Sequence, residues 1–371
     1  MIYLVMFSIS GLFFYLSQKT RGALRFCVLI VAIALPCLMA GFRDASVGTD
    51  LGLWGVYTYE AAKSMPLVPF LGYHADEAGI AFNLLAWVGA QMGNDIVPFL
   101  SLIQLAAILP FYMGIKALYP NQVWIGMLFY LLFLYPPSLN TMKQIIAVSV
   151  VVYGMKYLIG RSLRKYVCCV VVAMLFHQTA IAAMMFYPAA VLLGPEDASG
   201  GRPRRIALLV LLTLAIFCVV FFTGVYLVTY LADLKESYAT EVATLGQGRF
   251  NWSILILMVG LLLVYVFRTD FRQRAGVLGK MDIVLPIAAY CVVWGCFAFE
   301  LGMISPALSR FSYFGTSMMA FVICGASNSK NSKATSLSAA LLFMVLVYFV
   351  FNFIIRGGES IYPYASAILG I

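Results

Sequence analysis

An all-α, polytopic membrane bundle is the fold this sequence predicts, and three observations carry the prediction. Of the 371 residues, 63% are hydrophobic and 11% charged, with a mean hydropathy of +0.96. Apolar runs long enough to cross a bilayer recur from end to end. The net charge of +9 sits mostly in short turns between those runs, where orientation in the membrane accounts for it without a nucleic-acid partner.

The first run, Ile2 to Ser17, has no basic residue before it and no small-residue cleavage site after it, so it reads as a retained helix. Lys19, Arg21 and Arg25 behind it favour an N-terminus outside. Ala23 to Ala40, Val97 to Ile115, Gln122 to Tyr135 and Gln144 to Gly160 follow as spans. Ser162 to Phe176 and Gln178 to Leu193 are two short arms whose apex, near His177, approaches the outer face. Ile206 to Leu231, Trp252 to Phe267, Ile283 to Phe299, Phe311 to Ala326 and Leu337 to Ile355 bring the total to about twelve. With the N-terminus outside, the basic turns at 161–165, 202–205, 268–280 and 330–333 all fall on the cytoplasmic side. Ala78 to Met92 breaks that agreement if it is counted as a crossing, so it reads as a re-entrant or interfacial helix with both ends outside. No domain-joining linker and no internal repeat interrupts the chain, which reads as a single integral membrane domain, 1–371.

The longer polar segments then face outward: 41–77, 136–143, 232–251 and 300–310. Arg43 and Asp50 sit past the second span with Gly48 and Thr49 as a tight turn before Asp50. They read either as an interfacial anchor and an unrelated loop acid, or as an anion-binding arginine and a basic carboxylate at a cleft. Glu77 either serves the same cleft or caps the helix that follows it, and His74 reads as a loop residue. Asn140, Lys143 and Gln144 span about one helical turn after Pro136-Pro137 and can share a face, with the amine suited to a phosphate. His177 is a costly residue for membrane-associated sequence and hence a functional candidate. Arg249 and Arg310 each stand at the outer start of a span. Four cations on the outer face, Arg43, Lys143, Arg249 and Arg310, run against the usual orientation bias and describe an anion site.

No P-loop, GxGxxG or Asp-x-Asp signature accompanies these residues, so neither a nucleotide cofactor nor a metal is expected. The eight cysteines all lie within apolar runs and read as packing residues. An outward-facing site without cytosolic nucleotides needs a donor that arrives already energised, and a lipid-linked pyrophosphate suits clustered cations.

Arg43 with Gly48-Thr49-Asp50, Glu77 before an apolar helix, the run Asn140 to Gln144, Phe176-His177, and Arg310 with Tyr313-Phe314 together resemble the EpsG-type branch of the Wzy-like bacterial polysaccharide polymerases. The resemblance runs in order over most of the chain and departs from the family pattern at Lys143, where arginine is usual. It implies a membrane glycosyltransferase of GT-C-like architecture in the bacterial inner membrane. Such an enzyme joins undecaprenyl-pyrophosphate-linked oligosaccharide repeat units at the outer face, with a flippase and a chain-length regulator of the same pathway as partners. In that reading Arg43, Lys143, Arg249 and Arg310 meet the pyrophosphate, Asp50 or His177 is the general base, and Glu77, Asn140 and Gln144 bind sugar hydroxyls. The competing readings are a flippase or transporter for the same lipid-linked glycans, a glycan ligase, and a membrane acyltransferase.

Overall fold

The computed structural model describes residues 2–73, 79–193, 202–234, 281–328 and 332–371. All regular structure among them is helical, and the chain divides into two compact units. The first comprises residues 1–156, 164–181 and 326–371, and the second residues 157–163 and 182–325.

The first unit is built on α1 (Ile2–Lys19) and α2 (Gly22–Gly41), an adjacent pair of long apolar helices. α2 packs on α6 (Val97–Leu118), and Gly41 shows the direction of the pairing. A Cβ on this last residue of α2 would collide with Ser101 Oγ and Val97 in the first turns of α6. The two helices are therefore antiparallel, and the chain from Phe42 to Ile96 leaves and returns at one end of the unit. That excursion holds one π-turn, Leu51–Gly55, then α3 (Val56–Ser64), α4 (Leu67–Tyr73) and α5 (Ile80–Gln91). With 12 residues α5 is about 18 Å long, shorter than a hydrocarbon core of roughly 30 Å.

After α6, Gln18 joins α1 to the next turn at the opposite end, donating to Pro120 O at 2.7 Å and accepting from Trp124 N at 3.1 Å. α7 (Val123–Phe129), a π-turn at Tyr130–Leu134 and α8 (Tyr135–Ser138) lead back to Asn140. α9 (Met142–Ile159) is the most enclosed of the long helices: 72% of its apolar window is buried, against 28% for α2. Gly114 lets α6 approach α9 closely, since a Cβ there would come within 2.8 Å of Val152 O. α10 (Leu163–Met174) follows a turn and packs back on α9 through Tyr166 and Cys169 against Gly154.

In the second unit, α11 (Phe186–Leu192), α12 (Arg202–Leu234) and α13 (Met281–Glu300) meet around aromatic contacts. Phe186 lies edge-on to Trp294 at 5.4 Å, and the Thr213 and Tyr290 hydroxyls are 2.8 Å apart. Three short helices follow, α14 (Pro306–Ser309), α15 (Ser312–Thr316) and α16 (Met319–Ser327). The chain then returns to the first unit through α17 (Ser332–Phe349), a π-turn at Val350–Ile355 and a C-terminal segment.

Six helices among the described residues are long and apolar enough to cross a membrane: Ile2–Lys19, Gly22–Gly41, Val97–Leu118, Met142–Ile159, Ile283–Met303 and Ser336–Ile355. Each coincides with an expected span to within a few residues. The protein is thus a multi-pass, all-helical membrane protein, with six such helices among the described residues; the expected span 206–231 falls within the 33-residue helix α12. Four expected spans differ in form. Gln122 to Tyr135 is interrupted by its π-turn, and the two arms around His177 are a 12-residue helix and a 3-10 turn followed by α11. Phe311 to Ala326 is broken into pieces where hydroxyls compete for the backbone. Thr316 Oγ1 donates to Ser312 O at 2.9 Å and Ser317 Oγ to Phe314 O at 3.1 Å, while Gly315 is pressed against Gly295. The expected span 252–267 lies outside the described residues.

Candidate functional site

Beyond α2 the chain turns sharply, and each step of the turn is held by a neighbouring segment. Phe42 N closes the helix on Leu38 O at 2.8 Å, and Val47 N bonds Asp44 O at 3.0 Å. Gly48 has φ +86, and a Cβ there would lie 2.8 Å from Leu139 O, so backbone conformation and crowding both require glycine. Thr49 Oγ1 and Asp50 N then donate to the same oxygen, Asn140 Oδ1, at 2.9 and 2.8 Å.

Arg43 lies beneath this turn, 4% exposed. Its Nη2 donates to the Met142 thioether at 3.5 Å, and Nε has no hydrogen-bond partner. Desolvation by burial pulls its pKa from 12.5 down to about 10, with Tyr135, Tyr3, Tyr364 and Asp50 opposing the fall, so the guanidinium is a cation at neutral pH. The sequence leaves Arg43 as either an interfacial anchor or an anion-binding residue at a cleft; the side chain lies inside the protein, under a cover.

The cover is the C-terminal segment. Tyr364 OH donates to Met39 O at 2.8 Å, Ser366 Oγ to Phe42 O at 2.6 Å and Tyr3 OH to Ile361 O at 2.9 Å. Asp44 N bonds Ala365 O at 3.0 Å, Ala367 N bonds Asp44 Oδ1 at 2.9 Å and Gly48 N bonds Ser360 O at 2.9 Å. Asn140 Nδ2 donates to Glu359 Oε2 at 2.5 Å. Asn140 is therefore the hub between the Gly48–Asp50 turn and the C-terminal segment, and it stands in the turn ahead of α9, off the helical face it is expected to share with Gln144.

Lys143, half-buried, lies over the Trp54 ring at 4.0 Å and the Phe82 ring at 5.3 Å. Gln144 is buried at 1% exposure. His177 is half-buried in the turn after α10, with Nδ1 2.6 Å from Thr179 Oγ1. The preceding residue pair binds α5, since Ala81 N donates to Leu175 O at 3.0 Å. Through Phe82, the first turn of α5 thus connects the His177 turn with the Lys143 ammonium. Arg43, Asp50, Asn140, Lys143, Gln144 and His177 all belong to the first unit; Asp50 bonds Asn140, Arg43 reaches Met142 next to Lys143 and Gln144 in sequence, and the His177 turn joins Lys143 through α5. Arg310 belongs to the second unit, exposed after α14, with Tyr313 N on its carbonyl at 3.3 Å. Glu77, His74 and Arg249 lie outside the described residues.

Glu359 is the site residue that sequence reasoning missed. It is half-buried and follows a Gly-Gly doublet in the C-terminal segment. The available signal was its isolation: it is the sole acidic residue after Glu300. Charge separates along the first unit as well. Asp44, Asp50, Glu60, Asp95 and Glu359 share the Arg43 end with Lys63, Lys143 and Arg356, whereas Lys19, Arg21, Arg25, Lys116 and Lys156 lie toward the other end. Among the described residues no three His, Cys, Asp or Glu side chains are grouped to hold a metal ion, and all eight cysteines are free, five of them buried.

The EpsG family model matches residues 25–366. No curated protein and no solved structure matches the chain.

Proposed function

The chain belongs to the EpsG family, and from that premise we propose that it is a membrane glycosyltransferase that lengthens glycans by joining lipid-linked oligosaccharide repeat units. Membership supports a Wzy-like polymerase role in general. The donor we assign is a growing glycan on undecaprenyl pyrophosphate, and the acceptor is a sugar hydroxyl of the next lipid-linked unit. As the new C–O bond forms at the anomeric carbon, the bond from that carbon to the pyrophosphate oxygen breaks, and the electron pair leaves on the pyrophosphate. The acceptor hydroxyl loses its proton to a general base, for which Asp50 and His177 are the candidates. Arg43 and Lys143 supply positive charge for the leaving group, with Arg249 and Arg310 assigned to the same task from the resemblance. Glu77 and Gln144 bind sugar hydroxyls in this scheme, as does Asn140 through whatever capacity its hub role leaves.

The single observation that carries the reading is the enclosed guanidinium of Arg43. Burying a charge without a hydrogen-bonded carboxylate is costly, and such a residue is retained where a function needs it. The separation of charge along the first unit supports the direction: its basic end suits the cytoplasm, which turns the Arg43 end to the periplasm or exterior of the inner membrane. The placement of Arg43 and Lys143 at one end of the first unit also favours an enzyme over a transporter, whose site is expected near the midplane.

The test is the glycan length profile of a strain lacking this protein, with and without the wild-type chain restored. Polymerase activity predicts single-unit glycans in the deletion and a long-chain ladder on restoration. Loss of all surface glycan would point to the flippase reading, and normal-length glycan left on its carrier would point to the ligase.

A further inference from the structure

We propose that Glu359 is a positioning residue of this site, setting the orientation of the Asn140 amide and, through it, the place of Thr49 and Asp50. The inference rests on the polymerase reading for the meaning of Asp50 and on the following geometry for the rest. An ionised carboxylate only accepts hydrogen bonds, so Glu359 Oε2, 2.5 Å from Asn140 Nδ2, demands the NH2 end of that amide. The carbonyl end is then forced toward the turn, where it takes two donors, Thr49 Oγ1 at 2.9 Å and Asp50 N at 2.8 Å. A flipped amide would set oxygen against carboxylate on one side and NH2 against N–H on the other. Three hydrogen bonds thus have one allowed polarity, and the charge on Glu359 selects it.

The backbone at Glu359 is a second, independent observation. Gly357, Glu359 and Ser360 have φ +68, +61 and +51, so two non-glycine residues sit in the left-handed region. Such strain persists where surrounding contacts over-determine it. Here the Asn140 bond to Glu359 and the 2.9 Å bond from Gly48 N to Ser360 O hold the two residues from either side. Both bonds lead into the same Gly48–Asp50 turn, so the strained segment is coupled to the place of Asp50.

The proposal makes an exchange prediction. Asn140→Asp keeps the acceptor for Thr49 and Asp50 but sets a second carboxylate against Glu359, and polymer formation should fall about 10- to 100-fold, the scale of a small misplacement of reacting groups. Glu359→Ala should fall by a similar factor, and Glu359→Gln by less, because a glutamine amide can meet Asn140 with either end. Combining Asn140→Asp with Glu359→Gln restores one carboxylate and one amide, with residue 359 now donating to residue 140 and the acceptor for Thr49 and Asp50 kept, and should recover most of the loss. The measurement is polymer length per amount of full-length protein in membranes of the deletion strain, followed by turnover of the purified protein on lipid-linked repeat units. Loss should appear in kcat with KM within about threefold, a split that a segment needed only for stability would not give. A double variant no better than Asn140→Asp, or Glu359→Ala with wild-type kcat, overturns the proposal. Where Glu359→Ala fails to accumulate, the double variant decides, since it preserves size and charge. Failure of the wild-type chain itself to restore long glycan would instead strike at the polymerase reading.

Discussion

A guanidinium that is 4% exposed, with Nε unbonded and a thioether as the partner of Nη2, is disfavoured by desolvation, which is why its pKa falls to about 10. The sign follows: the charged form is worse off in the fold than in water, so Arg43 withholds stability at all pH values below about 10 and the deficit is relieved only as pH rises above it. Three predictions belong to this scale. Arg43→Met, of similar length and apolar, should leave the thermal midpoint of the purified protein unchanged or raise it; a marked fall would make the arginine structural. Because the cation persists from pH 5 to about 9, any limb of the activity profile in that range must come from another group, such as His177 or a carboxylate. Lys143 offers a contrast, since its ammonium is stacked 4.0 Å over Trp54 yet stays half-buried. Lys143→Ala should lose most polymer while Lys143→Arg keeps it, because arginine carries the same charge and stacks on aromatic faces. Normal glycan length in Lys143→Ala would remove it from the site.

Among the elements, the C-terminal segment contributes most to the site and was the least legible. Its neutral bonds to Met39, Phe42, Asp44 N and Gly48 are each worth about 0.5–1.5 kcal/mol net and the two that involve carboxylates, at Asp44 and Glu359, about 1.5–3 kcal/mol, enough together to hold two strained residues and a cover over Arg43. A stop codon in place of Gly357 should therefore abolish long glycan and make a cysteine at Ala45, already exposed, no less reactive while Arg43 gains exposure. Retention of full-length polymer by that truncation would contradict the role given to the cover. Hydropathy located the long helices because spanning length depends on composition alone, so Ile2, Gly41, Val97 and Ile355 emerged as boundaries to within a residue or two. It could not see breaks that arise from contacts. The fracture of 306–327 depends on Gly295 meeting Gly315 and on hydroxyls turning to the backbone, and the π-turn at Tyr130–Leu134 has no compositional mark. Likewise the pairing of Gly48–Asp50 with Asn140 was legible as two polar motifs, while Glu359, 219 positions from Asn140, was not.

For the whole molecule, burial explains why one apolar sequence contains two kinds of helix. α9 is enclosed and carries Lys143 and Gln144 at its start, whereas α1, α2 and α17 present much of their surface to lipid, and both kinds are apolar throughout. Orientation is the prediction at this scale. In a background without the eight native cysteines, Ser64→Cys, exposed at the Arg43 end, should react with an impermeant thiol reagent from the periplasm. Asn121→Cys, exposed in the turn after α6, should be protected until the membrane is opened; the reverse pattern would move the site to the cytosol. The central claim is that glycan is lengthened at the enclosed cation of this outward end. It is tested most directly by restoring the deletion strain with Arg43→Met or Arg43→Ala and reading polymer length beside membrane abundance. The account predicts normal abundance with polymerisation reduced about 100- to 1000-fold, so that single-unit glycans dominate, and partial recovery with Arg43→Lys. Full-length polymer from Arg43→Met at normal abundance would contradict it.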